Sequence, residues 1–449
     1  MAKKISMQEE ADRLFETEMK LAPKTKHSDR ALIACFLGFL TVFGILLFAL
    51  PPKTFSEQEN RELQTFPALS TKSEMTFGEK LSETVSAIFN TEKSDKPLKE
   101  RLEKTHLIDR YLTGKFSADF GEFCADQFPL RDFFVGVEGL SEIALFKGEN
   151  NGVMLGRDGT LITRMRGVGT VLSDGTAYVT SNVNSISDFA ARMKAENIPL
   201  TFACAGRTAD IETEKYPALY DPSETEAPWK LLSEALPADG TLSYLDLRPV
   251  IKEKSDAGED VMYRTDHHWT TLGAYYAYCE ILRSWDMEPL PLDFFTRETA
   301  SEEFFGTAWR TAGMKWVKPD TMEFFRYPGD EDFTVTITGE KEPMRGFYDR
   351  AYLSKTDKYS AFLSGNRSYE SVTKNTEEPR EKLLLVKDSF GHCIAPFLAY
   401  HFDLEIVDLR YYKGSTAALA RETGCGRALV LCNMASLTDT VSFSLLAME

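Results

Sequence analysis

Leu383-Leu384-Leu385-Val386-Lys387-Asp388-Ser389-Phe390-Gly391 is the run on which a reading of this chain depends. Four apolar residues in a row suit a strand buried on both faces. The polar turn that follows carries a serine. Phe390 to His401 then reads as a helix, with Pro396 in its first turns, where proline is tolerated better than in mid-helix. Leu404 to Leu409 and Ala428 to Cys432 read as further strands. Strand, turn, helix, strand is the grammar of an α/β fold with a mostly parallel sheet and flanking helices. In such sheets the site forms at the carboxyl ends of strands, where Ser389 falls. Backbone N–H groups at a helix start favour developing negative charge there.

The same alternation is legible upstream. Val153 to Ile162 has two short apolar runs around Arg157-Asp158-Gly159, a hairpin signal. Ser181 to Ala195 is patterned as an amphipathic helix and Ile198 to Ala205 as a buried strand, ending at Gly206-Arg207-Thr208. Pro228 to Leu236 reads as a helix and Leu242 to Leu247 as a strand.

About 120 residues before Ser389 lies Tyr263-Arg264-Thr265-Asp266-His267-His268-Trp269-Thr270. It holds two of only six histidines in 449 residues. Thr270 and Thr271 are fair N-caps for a buried helix, Gly273 to Leu282, so the run lies in a loop that can project side chains into a cleft. Asp, His and Ser are the parts of a nucleophilic site: a histidine removes the serine proton and a carboxylate fixes the histidine tautomer. Asp266 and His268 stand two positions apart, so a tight loop can bring the carboxylate to Nδ1, and His268 is preferred to His267 as the base. His392, one turn after Ser389, reads as structural. The pattern of a metal site is missing: there is no HExxH and no zinc-type Cys/His spacing.

Composition bounds the rest. Hydrophobic content of 43% and charged content of 27% are ordinary for a globular protein. A net charge of −17 argues against nucleic acid, whose phosphates demand a basic patch. The seven cysteines form no CxxC pair and read as buried thiols, with disulfides left open. Ala31 to Leu50 holds twenty residues without a charge, enough helix to span about 30 Å of hydrocarbon, and Pro51-Pro52 stops it. A cleaved signal peptide fits less well, since the polar lead is long and no small-x-small site follows. Arg13, Lys20, Lys24, Lys26 and Arg30 precede the segment, and only Lys53 and Arg61 follow it closely. The N-terminus is therefore expected in the cytoplasm and the rest outside the cell membrane, where ATP, NADH and acetyl-CoA are not freely available.

The expected organisation is a cytoplasmic tail at 1–30, a transmembrane helix at 31–50, a helical membrane-proximal lead-in at 51–150 and a main domain at 151–449. Within the lead-in, Phe77 to Phe89 and Pro97 to Phe116 carry helical spacing. Residues 290–375, rich in aromatics, glycine and charge, read as an insertion with one clear strand at Thr334 to Thr338. Phe304, Phe305, Trp309 and Trp316 there could line a sugar-binding surface.

The Asp-His-His-Trp run, the Lys-Asp-Ser-Phe turn and the anchor resemble the DHHW family of bacterial envelope proteins. That family is similar to the alginate O-acetyltransferases, which have SGNH-hydrolase-like domains. The resemblance implies an SGNH-like domain in permuted order, with Asp266 and His268 preceding Ser389. It implies Ser389 as nucleophile, His268 as base and Asp266 as orienting acid, with no cofactor. It further implies acetyl transfer to a polysaccharide, the acetyl group arriving through a membrane-bound acyltransferase partner. An acetylesterase would use the same three residues with water as acceptor, and a non-catalytic glycan-binding or scaffold protein would keep the fold alone. Lys387 stands where the SGNH serine block has glycine. The oxyanion donors are not fixed by motif; Gly365-Asn366, Arg207 and the Ser389 N–H are candidates, with Trp269 a candidate substrate contact. The flanking charges carry a test of topology: alkaline phosphatase fused after Glu449 is expected to be active, and a fluorescent protein fused before Met1 to fluoresce in the cytoplasm. The reverse pattern would overturn the orientation.

Overall fold

The computed structural model describes residues 26–448, except 57–60, 71–75, 90–99, 101, 103–104, 106–108, 146, 166–168 and 218–219. The expected cytoplasmic tail, apart from 26–30, and much of the Pro97–Phe116 helix lie outside the described residues. The chain divides into two compact units, 1–56 with 62–131, and 57–61 with 132–449.

In the first unit, helix α1 (Lys26–Ala49) has one side-chain type over most of its length, apolar and exposed. It is one helix long and apolar enough to cross a membrane. Helix α2 (Phe77–Phe89) follows the spacing read from the sequence. Helix α3 (Lys115–Asp126) presents Phe116, Phe120 and Phe123 to Phe66, edge on in each case.

The second unit opens with helix α4 (Arg131–Ala144) and a three-stranded antiparallel sheet, β1 (Glu149–Asn150), β2 (Val153–Leu155) and β3 (Leu161–Thr163). The β2–β3 pair is the hairpin that Arg157-Asp158-Gly159 signals. The main sheet has eight strands. In chain order they are β4 (Leu200–Ala205), β5 (Ser243–Asp246), β8 (Phe333–Ile337), β9 (Met344–Arg345), β10 (Tyr369–Lys374), β11 (Lys382–Lys387), β12 (Asp403–Val407) and β13 (Arg427–Asn433). Between them, β6 (Thr296–Phe304) and β7 (Asp320–Arg326) pair as a separate antiparallel hairpin. Across the main sheet the order is β9-β8-β10-β12-β11-β13-β4-β5.

From β12 to β5 every pairing is parallel, which is the sheet the alternation predicts. At the other edge, β10, β8 and β9 add antiparallel. Part of residues 290–375, read from the sequence as an insertion, extends the sheet here. Tyr369-Glu-Ser-Val-Thr-Lys374 buries alternate residues only, as an antiparallel strand with one solvated face does, so it lacks the continuous apolar run that marks β11.

The period-2 alternation of the parallel strands divides the core in two. Ala203, Leu383, Leu385, Leu429 and Leu431 face helices α8 (Thr271–Ser284) and α10 (Phe390–His401). Phe202, Leu384, Val386, Val430 and Cys432 face α5 (Tyr178–Ala195) and α6 (Ser223–Ala235). The result is three layers, helix on sheet on helix. Thr270 caps α8 by accepting from Gly273 N at 3.1 Å. Gly273 packs so closely on Val261 O and Trp269 that a side chain would not fit.

Lys387 ends β11 on the α8/α10 face. Its stem lies against Gly391, where a Cβ would stand 2.5 Å from Lys387 Cδ and 2.6 Å from its Cβ. Gly391→Ala therefore overpacks the strand–helix turn. We expect it to lower unfolding stability by about 1–3 kcal/mol, read as a lower urea midpoint. Gly391→Ala combined with Lys387→Ala is expected to recover part of that loss.

Candidate active site

Met262 and Trp269 pair as an isolated antiparallel bridge, and Tyr263 N–H donates to His268 O at 3.2 Å, so the loop between them is a closed hairpin. Asp320, at the start of β7, holds it from below. Its carboxylate accepts from Thr265 N at 2.8 Å, Thr265 Oγ1 at 2.5 Å and Arg264 N at 3.2 Å. Thr265 Oγ1 in turn accepts from Gly306 N at 3.1 Å.

Asp266 is 2% exposed. One carboxylate oxygen accepts from His268 N at 3.0 Å and sits in a short hydrogen bond with His268 Nδ1. The other accepts from Thr307 N at 2.6 Å. Gly306 lies so close that a Cβ would collide with Asp266 Cβ. Burial alone would raise the Asp266 pKa. The imidazoles of His268 and His267, with the hydrogen bonds from His268 and Thr307, outweigh burial and hold the carboxyl well below its ordinary value.

His268 is buried, and Tyr359 stacks on its ring at 3.9 Å between centroids and 12° between planes. Its Nε2 lies 2.7 Å from Ser389 Oγ. With Nδ1 on the carboxylate, Nε2 is the unprotonated nitrogen of the neutral ring and accepts the hydroxyl proton. Ser389 is the N-cap of α10 with ordinary helical dihedrals, φ −64° and ψ −18°, and is partly open to solvent. Its turn is held by Asp388, whose carboxylate accepts from Phe390 N at 2.9 Å, Asn433 N at 2.6 Å and Ser436 Oγ at 2.7 Å. The structure thus brings Asp266, His268 and Ser389 into one hydrogen-bonded chain, across 121 residues between the last two.

The other residues singled out in the sequence are placed as follows. Trp269 is buried, stands edge-on to Phe390 and donates to Phe390 O at 3.2 Å, tying the loop to the start of α10. Arg207 is committed to Asp210 through Nε at 2.9 Å and Nη2 at 3.0 Å. Gly365 has φ +84° and its N–H donates to Phe362 O. Asn366 is exposed, and its Oδ1 accepts from Arg410 at 3.0 Å. The Ser389 N–H meets no acceptor among the described residues. His392 is fully enclosed, burial pushes its pKa well down, and neither ring nitrogen has a partner among the described residues. Lys387 is buried with its Nζ likewise unpartnered. Nearby Glu370 is 1% exposed, and burial raises its pKa to about 7 against the pull of Lys387 and Arg367.

Asp266, His267 and His268 are close enough to share a metal ion. Both nitrogens of His268 and both oxygens of Asp266 are, however, already in the hydrogen bonds above. A metal held by all three residues would displace at least one of these hydrogen bonds.

Gly306, Thr307, Asp320, Tyr359 and Asp388 escaped the sequence reading as site residues. Four of them act across tertiary contacts, which no local pattern marks. Asp388 alone had a local signal, as a residue that caps well beside Ser389.

Ser389, His268 and Asp266 thus form a hydrogen-bonded chain on an α/β sheet. Residues 250–407, which include Asp266, His268 and Ser389, match the family model described as DHHW protein. Among solved structures, a DHHW family protein from Eubacterium siraeum DSM 15702 is similar at 18% identity, covering 67% of this chain and 96% of that one, with a TM-score of 0.53. Bacillus cereus PatB1, solved with a sulfonyl adduct, is similar at 18% identity over 65% of this chain and 98% of that one, with a TM-score of 0.52. The O-acetyltransferase domain of Pseudomonas putida AlgJ aligns at 13% identity over 64% and 93%, with a TM-score of 0.41. No curated protein matches the sequence.

The depressed Asp266 pKa sets a pH signature. A carboxyl whose folded value lies below its unfolded value stabilises the fold in full above about pH 4, its ordinary range, and loses that contribution as pH falls below it. The gap in urea midpoint between the native chain and Asp266→Asn is expected to be widest at neutral pH and to narrow below about pH 4. A gap that widened in acid would contradict the ionised, hydrogen-bonded carboxylate.

Proposed function

We propose that this chain is a membrane-anchored, extracytoplasmic O-acetyltransferase-like enzyme that acts on a cell-envelope glycan or exopolysaccharide through Ser389, His268 and Asp266. One observation carries the reading: Ser389 Oγ stands 2.7 Å from His268 Nε2 while Asp266 holds Nδ1. His268 takes the hydroxyl proton as Ser389 Oγ attacks the acyl carbonyl. In this reading the Ser389 N–H, without an acceptor among the described residues and at the start of α10, donates to the oxyanion, with Asn366 Nδ2 a second candidate. His268 then protonates the leaving oxygen and an acetyl-serine remains. A glycan hydroxyl gives its proton to His268 and attacks that ester. The new C–O bond forms, the bond to Ser389 breaks, and the serine recovers its proton.

Two further observations support the reading. The family match spans all three residues. The sulfonyl adduct of Bacillus cereus PatB1 is a modification of the kind an activated nucleophile accepts. We read the domain as SGNH-like in permuted order. With α1 as the anchor, the acetyl donor is handed over by a membrane-bound acyltransferase partner, since acetyl-CoA stays on the cytoplasmic side. Water in place of the glycan would make the same machinery an acetylesterase.

The full-length chain in detergent is to be mixed with 4-nitrophenyl acetate. An acetyl adduct on the Ser389 peptide is expected by mass spectrometry, with turnover lower by at least about 10³-fold in Ser389→Ala. Equal rates in the two proteins would leave a glycan-binding or scaffold protein as the reading.

A further inference from the structure

Arg310, in the short helix Thr307–Ala312, is 7% exposed, and no carboxylate among the described residues pairs with it. A buried charge without a counter-ion is costly, so its hydrogen bonds have to offset that cost. Nη1 donates to Phe305 O at 3.0 Å and to Thr356 O at 3.3 Å, and Nη2 donates to Thr307 Oγ1 at 2.9 Å. Bonds from an ionised donor are roughly twice as strong as neutral ones. The mechanism above assigns no work to this side chain.

Its three acceptors lie on the two segments that hold the acid and the base. Phe305 and Thr307 flank Gly306 in the stretch that grips the Asp266 loop. There Gly306 N–H donates to Thr265 Oγ1 at 3.1 Å, Thr307 N–H to Asp266 at 2.6 Å and Trp309 N–H to Thr265 O at 2.9 Å. Thr356 leads into the single turn Lys358–Ala361, which carries Tyr359, and Tyr359 stacks on the His268 ring. One segment therefore holds the carboxylate and another clamps the imidazole, and a buried guanidinium joins them. Lys358 ties the same turn to Ser301 Oγ at 3.0 Å and Glu303 O at 2.7 Å, on β6, short of the residues that grip Asp266. A guanidinium suits the task, because its planar fork serves acceptors in several fixed directions at once, whereas an ammonium carries its charge on a flexible stem.

We propose that Arg310 is a positioning residue for the reaction at Ser389: it locks the segment that holds Asp266 to the segment that clamps His268. The inference rests on the reading of Ser389, His268 and Asp266 as the reacting set, and Arg310 acts on them only through Thr307 and Tyr359. Without the guanidinium, the Thr307 N–H and the Tyr359 ring are free to shift relative to each other, and His268 Nε2 moves off Ser389 Oγ. Misplacements of this kind cost up to about 100-fold in rate.

The full-length chain in detergent is to be treated with phenylmethanesulfonyl fluoride, and the adduct on the Ser389 peptide followed by mass spectrometry. The final extent counts competent sites, and the rate reports their geometry. Arg310→Met is expected to slow the reaction by about 10- to 100-fold and to reach the parental extent. Arg310→Lys, which keeps the charge, is expected to fall between the two, and it carries the test if Arg310→Met does not fold. Lys358→Met is expected to react at the parental rate. A reduced extent at unchanged rate would show a folding role alone and overturn the proposal, as would equal slowing in Lys358→Met. A second readout needs no reaction: the low-field proton resonance of the His268 Nδ1–H, identified by its loss in His268→Gln. It is expected to shift or broaden in Arg310→Met and to stay unchanged in Lys358→Met. An unchanged resonance in both Arg310 variants overturns the positioning role whatever the activity. Acetylation of Ser389 in the unmutated chain is scored separately. Its absence sinks the acyl-transfer reading, and the sulfonylation rates and the resonance still decide the part played by Arg310.

Discussion

The site depends on one buried carboxylate being kept ionised. Asp266 is removed from water, which by itself favours the neutral acid. The imidazoles of His268 and His267 reverse that, with three donors beside them: His268 N, His268 Nδ1 and Thr307 N. The first two come from its own loop and the third from the start of a short helix, Thr307–Ala312, some forty residues on. The same contacts fix the His268 ring in a plane that Tyr359 then clamps from its face. Remove the carboxylate's charge and the imidazole loses both its tautomer and its tether, so the distance from Nε2 to Ser389 Oγ is a consequence of how Asp266 is held.

The sheet supplies the other half. Parallel pairing of β11 with β13 and of β13 with β4 brings the carboxyl ends of three strands together. Ser389, Asn433 and Gly206-Arg207 therefore lie side by side although 227 residues separate Gly206 from Asn433. Asp388 stitches two of these ends by accepting from Phe390 N and Asn433 N. The serine needs no strained backbone for this, since its dihedrals are those of a helix. Its exposure comes from the geometry of a strand ending and a helix starting at one residue.

What could be read from the chain follows from the range of each interaction. Asp266 and His268 are two residues apart, so their contact is a local property of a loop, and local properties show in sequence. Ser389 is marked by a continuous apolar strand before it and an apolar helix after it. Gly306, Thr307 and Asp320 grip the same loop from 40 to 55 residues away, and nothing in Phe304-Phe305-Gly306-Thr307 announces a partner. The hairpin β6–β7 was equally hidden, because Thr296-Arg-Glu-Thr-Ala-Ser-Glu-Glu-Phe304 is a charged, mostly exposed strand held by pairing with its neighbour. Gly365 is a case where a local demand is visible. Its glycine meets a local demand, a positive φ beside Ser360, and that demand alone accounts for it.

Lys387 shows how a substitution in a motif can be absorbed by the fold. A glycine before Asp-Ser leaves room at the strand end. Lysine fills it, and the space reappears one turn later at Gly391, which the lysine stem occupies. The ammonium is then carried into the α8/α10 side of the sheet, away from water, where burial lowers its pKa and Glu370, Asp408 and Asp388 oppose that. Glu370 on β10 is buried in the same region with its own pKa raised. Each group softens the other's desolvation, and the antiparallel strand β10, between β8 and β12, is what delivers the glutamate. The antiparallel strands thus have an electrostatic part in the structure as well as a packing one: without β10, the lysine behind the Ser389 turn would lack Glu370, the strongest of the charges that offset its burial.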